Sequence, residues 1–233
     1  MCGRFNLSKP AEIEERFGFL DWHDKRVQPR FNIAPSQDIL TIMQGADGRR
    51  RGQIARWGFV PPWHRTAESG LRQPPINARA ETLRDSPLFR DALARTRCLI
   101  PATGFFEWQV QPGGRERMPL QIQLKQGELF AFAGLWVPGD QGRPPTAAIV
   151  TTVPNDLLRT IHTRMPVILR PEHEAAWLDP TITDPDKLLP LLEPYPADAM
   201  RAYPVSARVN SVEHDDPELL EPVAVRPAQL PLV

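Results

Sequence analysis

Short apolar runs, punctuated by glycine and proline, recur along this chain and predict a mixture of strands and short helices. Ser8-Lys9-Pro10 leading into Ala11 to Phe17 predicts a first helix, with Ser as cap and Pro in the first turn. Asp38 to Met43 reads as a strand ended by Gly45, and Arg56 to Val60 as a second apolar piece stopped by Pro61-Pro62. Ser86-Pro87-Leu88 opens a helix running to about Arg95. Four strands follow: Arg97 to Ile100, Gly104 to Val110, Leu120 to Lys125 and Leu129 to Trp136. Gln111-Pro112-Gly113-Gly114 and Gln126-Gly127-Glu128 supply the turns on either side of the third of these. Ala147 to Thr152 and Val167 to Leu169 add strands, and Pro171 to Leu178 and Asp186 to Leu192 add short helices. The Pro-rich stretch from Pro180 to Pro204 reads as surface wrapping. Hairpin-linked strands in this number favour an α+β fold: one largely antiparallel, barrel-like sheet flanked by short helices.

Length and composition narrow the class. At 233 residues with 41% hydrophobic content, a single domain is expected, spanning residues 1–223 with a tail at 224–233. No apolar run approaches the ~20 residues a membrane helix needs. Arg4 is followed by Phe5-Asn6-Leu7-Ser8, which is no signal peptide, so a cytoplasmic protein is expected. Cys2 and Cys98 form neither a metal-ligand spacing nor a disulfide framework. A bridge between them stays open, with reduced thiols in the cytosol favoured. The net charge of zero hides an asymmetry. Residues 1–170 hold 24 Lys+Arg and 16 Asp+Glu, a balance of +8, and residues 171–233 hold 4 and 12, a balance of −8. That permits an anionic partner on one face, although a solvated surface with an acidic end explains it as well.

Candidate chemistry begins at position two. Cys is small enough for the initiator Met to be removed, which would leave Cys2 with an α-amine and a thiol on adjacent carbons. Such an amine has a pKa of about 7.7–8.0, so part of it is unprotonated near neutrality. It condenses with an aldehyde to an imine, and the thiol closes a thiazolidine; alternatively the amine serves as base for a Cys nucleophile. The bland alternative is a small residue that happens to follow the start codon. Glu107 lies in Gly104-Phe105-Phe106-Glu107-Trp108, where alternation puts it on the Phe105 face and Phe106 with Trp108 on the other. A carboxylate among aromatics has its pKa raised toward the range useful for proton transfer, unless it points outward or pairs with an Arg. His162 interrupts apolar pieces in Ile161-His162-Thr163-Arg164, a loop position suited to function. Asn77 is a helix cap in its plainest reading, Cys98 a core residue, and Trp63 a loop tryptophan able to stack on a base.

Several of these segments together resemble the SRAP family, named for SOS-response-associated peptidases and described as abasic-site processing proteins. The segments are Met1-Cys2-Gly3-Arg4-Phe5, Phe31-Asn32-Ile33-Ala34-Pro35, Trp57-Gly58-Phe59-Val60-Pro61, Ile76-Asn77-Ala78-Arg79-Ala80-Glu81-Thr82, Arg97-Cys98-Leu99-Ile100-Pro101 with Gly104 to Trp108, Ile161 to Val167, and Val209-Asn210. The resemblance implies a single α+β domain with a positively charged channel for single-stranded DNA, acting in the DNA-damage and SOS response. It implies that Cys2 forms the thiazolidine link to the ring-opened aldehyde of an abasic site, that Glu107 assists proton transfers, and that His162 helps open the sugar ring. Asn77 would hold the N-terminus and the lesion. Arg4, Arg79 and Arg164 would lie near phosphates, Trp63 and His64 would wedge into the base stack, and Trp108 joins them as a DNA-binding candidate. The resemblance also carries a thiol-peptidase description, chiefly for leader removal, together with lyase chemistry; it implies a monomer with no metal or organic cofactor.

Two rival functions are kept. N-terminal-nucleophile glutamine amidotransferases also begin Met-Cys-Gly but usually continue with Ile where Arg4 stands, and their His-Asn-Gly and Arg-Gly-Pro-Asp stretches do not occur here. A non-catalytic single-strand-binding module would use the charge and aromatics and leave Cys2 inert.

Overall fold

The apolar runs form strands, and the strands divide between two sheets. In chain order they are β1 (Phe5–Leu7), β2 (Asp21–Trp22), β3 (Arg30–Ile33), β4 (Asp38–Gln44), β5 (Arg50–Trp57), β6 (Asn77–Arg79), β7 (Arg97–Ala102), β8 (Gly104–Val110), β9 (Arg117–Leu124), β10 (Phe130–Val137), β11 (Thr146–Thr152), β12 (Met165–Pro166), β13 (Ile168–Leu169) and β14 (Met200–Pro204). The helices are short: α1 (Ile13–Phe17), α2 (Arg90–Arg95), α3 (Asp156–Arg159), α4 (Pro171–Leu178) and α5 (Pro185–Leu188). This computed structural model describes residues 2–18, 21–22, 27–64, 73–114, 116–140 and 142–224, so the expected tail from 225 onward lies outside the described residues. None of its helices is long and apolar enough to cross a membrane.

The larger sheet runs β12-β11-β10-β7-β4-β5-β2 and closes on itself, because β5 also pairs with β11. That closing pair is parallel and brief, with Thr146 opposite Arg56 and Ala147 opposite Trp57. The barrel-like sheet expected from the sequence is therefore a ring with one short seam. The smaller sheet has the order β14-β9-β8-β1-β3. Only β8 and β9 of the consecutive strands from β7 to β10 form a hairpin within one sheet; the chain passes from the ring to the smaller sheet after β7 and returns at β10. The first passage turns on Thr103, whose N–H donates to the Asn6 carbonyl at 2.9 Å. A side chain at Gly104 would lie 2.0 Å from the Gln121 amide and 2.9 Å from the Ile122 carbonyl, so the strand that carries Glu107 can start only with glycine.

The main core fills the ring and the space beneath the smaller sheet, and it includes Cys2, Phe5, Trp57, Cys98, Phe105 and Phe132. The other face of the smaller sheet buries Phe106 against Val205, Val209 and Leu219, with Trp108 packed alongside. The alternation expected for β8 is thus observed. Cys98 and Cys2 are both free thiols.

Three local readings change. Ser8 does not cap the first helix, since its hydroxyl lies 3.0 Å from that of Thr103. The second apolar piece is only the end of β5, which starts at Arg50. The Pro-rich stretch ends in a strand, β14, paired along its length with β9.

Candidate active site

Two sequence-predicted segments, those of Asn77 with Arg79 and of His162 with Arg164, meet beside the C-terminal end of β11. β6 pairs with β11 in parallel, setting Asn77 opposite Ile149 and Arg79 opposite Thr151. β12 pairs with the same end, Thr152 opposite Met165, which fixes the loop carrying His162 and Arg164. The smaller sheet brings β1, with Cys2 just ahead of it, against β8 through the pairs Phe5–Phe105 and Asn6–Gly104.

Cys2 is fully buried. Its carbonyl accepts a hydrogen bond of 2.9 Å from Asn77 Nδ2. The side-chain oxygen of Asn77 is buried and has no partner among the described residues. Burial raises the Cys2 thiol pKa far above its ordinary value; the charge of Glu107 raises it further, and the N-terminal amino group and the Arg4 N–H work against both. Burial thus disfavours the thiolate in this site. Glu107 is 3% exposed. Burial raises its pKa as well, opposed most by the charge of the chain's amino terminus and also by the Trp108 N–H, with His162 close enough to act on it. Cys2, Asn77, Glu107 and His162 thus form one cluster.

His162 follows α3, whose first turn is capped by Asn155 Oδ1 accepting from the Leu158 N–H at 2.9 Å. The Arg164 N–H donates to His162 Nδ1 at 3.0 Å. The Arg164 carbonyl lies 3.3 Å from the same nitrogen, but the shorter contact has a fixed donor, so Nδ1 is taken as acceptor and the proton of the neutral ring is assigned to Nε2. The Arg164 guanidinium is itself engaged: Nη1 and Nη2 reach the two Glu81 oxygens at 2.6 and 3.0 Å. Nη2 also reaches the Thr151 carbonyl at 2.7 Å. Arg79 is exposed.

The remaining candidates divide. The Arg4 guanidinium donates to Asn32 Oδ1 and to the Val209 carbonyl, each at 2.7 Å. It also stacks over Trp108, 5.8 Å from the ring centre. Trp108 Nε1 donates to Asn210 Oδ1 at 2.7 Å. Both residues are half-buried and tied to the C-terminal segment. Asn32 joins that segment to the N-terminus, its Nδ2 reaching the Ser211 and His214 carbonyls at 2.9 and 2.8 Å. A cavity of about 570 Å³ borders Asn77, lined by Pro35, Ser36 and Gln73 to Ile76. Ser36 holds a left-handed backbone (φ 67°), strain of the kind that gathers at ligand sites. Trp63 is 53% exposed. It lines a separate apolar cavity of about 260 Å³ with Phe59, Leu88 and Trp136, sharing no lining residue with the first. The His64 side chain lies outside the described residues.

Sequence reasoning did not single out Asn32, Glu81 or Thr151. The first two sit inside recognised motifs, but their partners Val209, Arg164 and Ala78 lie too far along the chain to be paired by inspection.

Comparison with known proteins identifies the family and the fold. A family model described as SOS response associated peptidase (SRAP) matches residues 1–212. Abasic site processing protein YoqW of Bacillus subtilis (strain 168) is 47% identical over 227 residues, covering 95% of this chain and 99% of that protein. Abasic site processing protein YedK of Escherichia coli (strain K12) is 27% identical, covering 96% and 100%. The crystal structure of a protein from Bacteroides thetaiotaomicron matches with a TM-score of 0.83 at 27% identity, covering 96% of this chain and 100% of that one.

Proposed function

The chain belongs to the SRAP family, and on that premise we propose that it processes abasic sites in single-stranded DNA by capturing them covalently through Cys2. The observation that carries the reading is the meeting of a fully buried Cys2, its carbonyl held 2.9 Å from Asn77 Nδ2, with Glu107 and His162.

An abasic site is a masked aldehyde, mostly a cyclic hemiacetal. His162 Nε2–H hydrogen-bonds the ring oxygen as the C1′–O4′ bond breaks, and the proton lost by the C1′ hydroxyl ends on that oxygen, so the histidine is left neutral. The Cys2 amine, free once Met1 is gone, attacks C1′. The carbinolamine loses water with a proton from Glu107, a role that suits a buried carboxyl with a raised pKa. The thiol then adds to the imine carbon and its proton ends on the nitrogen. The products are a thiazolidine and one water. Because burial disfavours the thiolate, the amine acts first and the sulfur second. Selectivity resides in the lesion, since an intact nucleotide offers no aldehyde. Arg79 and Arg164 support binding of the strand through phosphates, contacts that position without reading sequence. The setting is the cytoplasm, at damaged DNA, with the protein as a monomer.

Intact mass after incubation with a single-stranded oligonucleotide carrying one abasic site tests this. The expected adduct is the sum of both masses less one water. Extending the chain ahead of Cys2 should abolish the stable adduct and leave reversible DNA binding. Cys2→Ala with Met1 removed should give only an imine, trapped by borohydride. A blocked N-terminus that still yields a denaturation-stable adduct would sink the thiazolidine reading. Hydrolysis of free glutamine would favour the amidotransferase, and binding without any adduct the inert module.

A further inference from the structure

Glu81 performs none of the steps above, yet it engages the residue that holds His162 in place. We propose that Glu81 is a positioning residue for His162, acting through Arg164. This rests on the reading of His162 as the Nε2–H hydrogen-bond donor to the lesion's ring oxygen in abasic-site capture.

The Arg164 side chain is 15% exposed, so its charge needs acceptors inside the protein. Glu81 takes both Nη groups end-on, and the Thr151 carbonyl and hydroxyl take Nη2 at 2.7 and 3.1 Å. These bonds pin the side chain against β11 beside the start of β12. The backbone of the same residue then has a fixed direction, and its N–H meets His162 Nδ1 at 3.0 Å. While that bond persists Nδ1 cannot carry the proton of the neutral ring, and Nε2 keeps it for the lesion's oxygen. The arrangement has an electrostatic cost. Glu81 is 44% exposed at its side chain and adds a negative charge beside Arg79 and Arg164 in a surface meant for phosphates. Removing that charge should strengthen DNA binding while loosening the histidine, and a residue that merely supports the fold would not move binding and rate in opposite directions.

Glu81→Gln keeps the shape and removes the charge. Undamaged single-stranded oligonucleotide should bind about two- to fivefold more tightly, the effect expected of one exposed ion pair. The saturating rate of adduct formation on the abasic oligonucleotide should fall about tenfold, part of what general acid catalysis supplies. Nitrogen NMR of His162 in the DNA-free protein should show proton density moving onto Nδ1. Glu81→Asp, which retains the charge, should restore the Nε2 tautomer and most of the rate. An unchanged saturating rate with an unchanged tautomer overturns the proposal. So does tighter binding at full rate, which would make Glu81 only a mask for Arg164. So does a parallel fall in binding, rate and melting temperature, which would make it structural. If the wild-type protein forms no adduct, the functional reading fails, and the tautomer measurement still decides whether Glu81 governs His162.

Discussion

At the scale of single residues, Glu107 is held where ionisation is least favourable, and that has a measurable consequence for stability. Its folded pKa is raised by burial. Above that raised value both states are ionised and the native state bears the desolvation; below the unfolded value of about 4.3 both are protonated and the penalty is gone. Glu107→Gln should therefore stabilise the free protein at pH 7, with the gain shrinking toward zero as pH falls through the carboxylate range, as urea unfolding at several pH values would show. The same variant, and His162→Ala, should slow adduct formation by about 10²-fold with the fold intact, the low end for general acid–base catalysis. Equal forward and reverse rates in wild type and both variants would remove these residues from the chemistry. Glu107 was legible in the sequence because two-residue periodicity put it on the Phe105 side of β8. Asn32 was not, since an asparagine in a short strand reveals nothing until Arg4 and the carbonyls beyond Val209 are brought to it.

Among the elements, Arg97 shows how short helices are held. Its guanidinium is nearly fully buried at the start of β7. It donates to the Leu93 and Ala94 carbonyls at the end of α2, and to the Trp177 and Asp179 carbonyls at the end of α4. Two helix C-termini, each with orphan carbonyls and partial negative charge, share one cation. Burial brings its pKa down to about 10, still high enough to keep it charged at neutral pH. Arg97→Met should leave those carbonyls unsatisfied and cost about 3–5 kcal/mol, visible as a large fall in melting temperature. A loss under about 1 kcal/mol would show that water replaces the guanidinium. The bounds of β8, with glycine at its entry, and of α4, with proline in its first turn, could be read from the chain. The start of β5 and all of β14 could not. The first runs through polar Arg50 to Gln53, and the second is an edge strand made by pairing with β9, with Pro204 at its end.

For the molecule as a whole, the acidic C-terminal third proves to be a clasp. Asp215 accepts from the backbone N–H groups of Phe31 and Asn32 and pairs with Arg30, and Arg208 pairs with Asp216 and Glu218. Asp215 thus ties the acidic segment to Arg30 and the backbone of β3, while Arg208 is neutralised within the segment itself. Affinity for undamaged single strands should fall with salt, at roughly 0.7 log units per log unit for each phosphate contacted. Arg79→Ala should flatten that slope by about 0.7. Arg164→Ala should flatten it less, because Glu81 already neutralises that cation. Fluorescence anisotropy across a salt series decides this, and equal effects would contradict it. The order of strands carries one more consequence. β1 lies between β3 and β8, so the strand made first gains its second neighbour only when the ribosome has reached Gly104 and beyond. At 5–20 residues per second that interval is roughly 5–20 s. During it the N-terminus is an open nascent end, within reach of an aminopeptidase; afterwards Cys2 is buried and its carbonyl is bound by Asn77. On the reading proposed above, Met1 must be removed before that burial is complete, and a chain that folds untrimmed would keep its amine blocked.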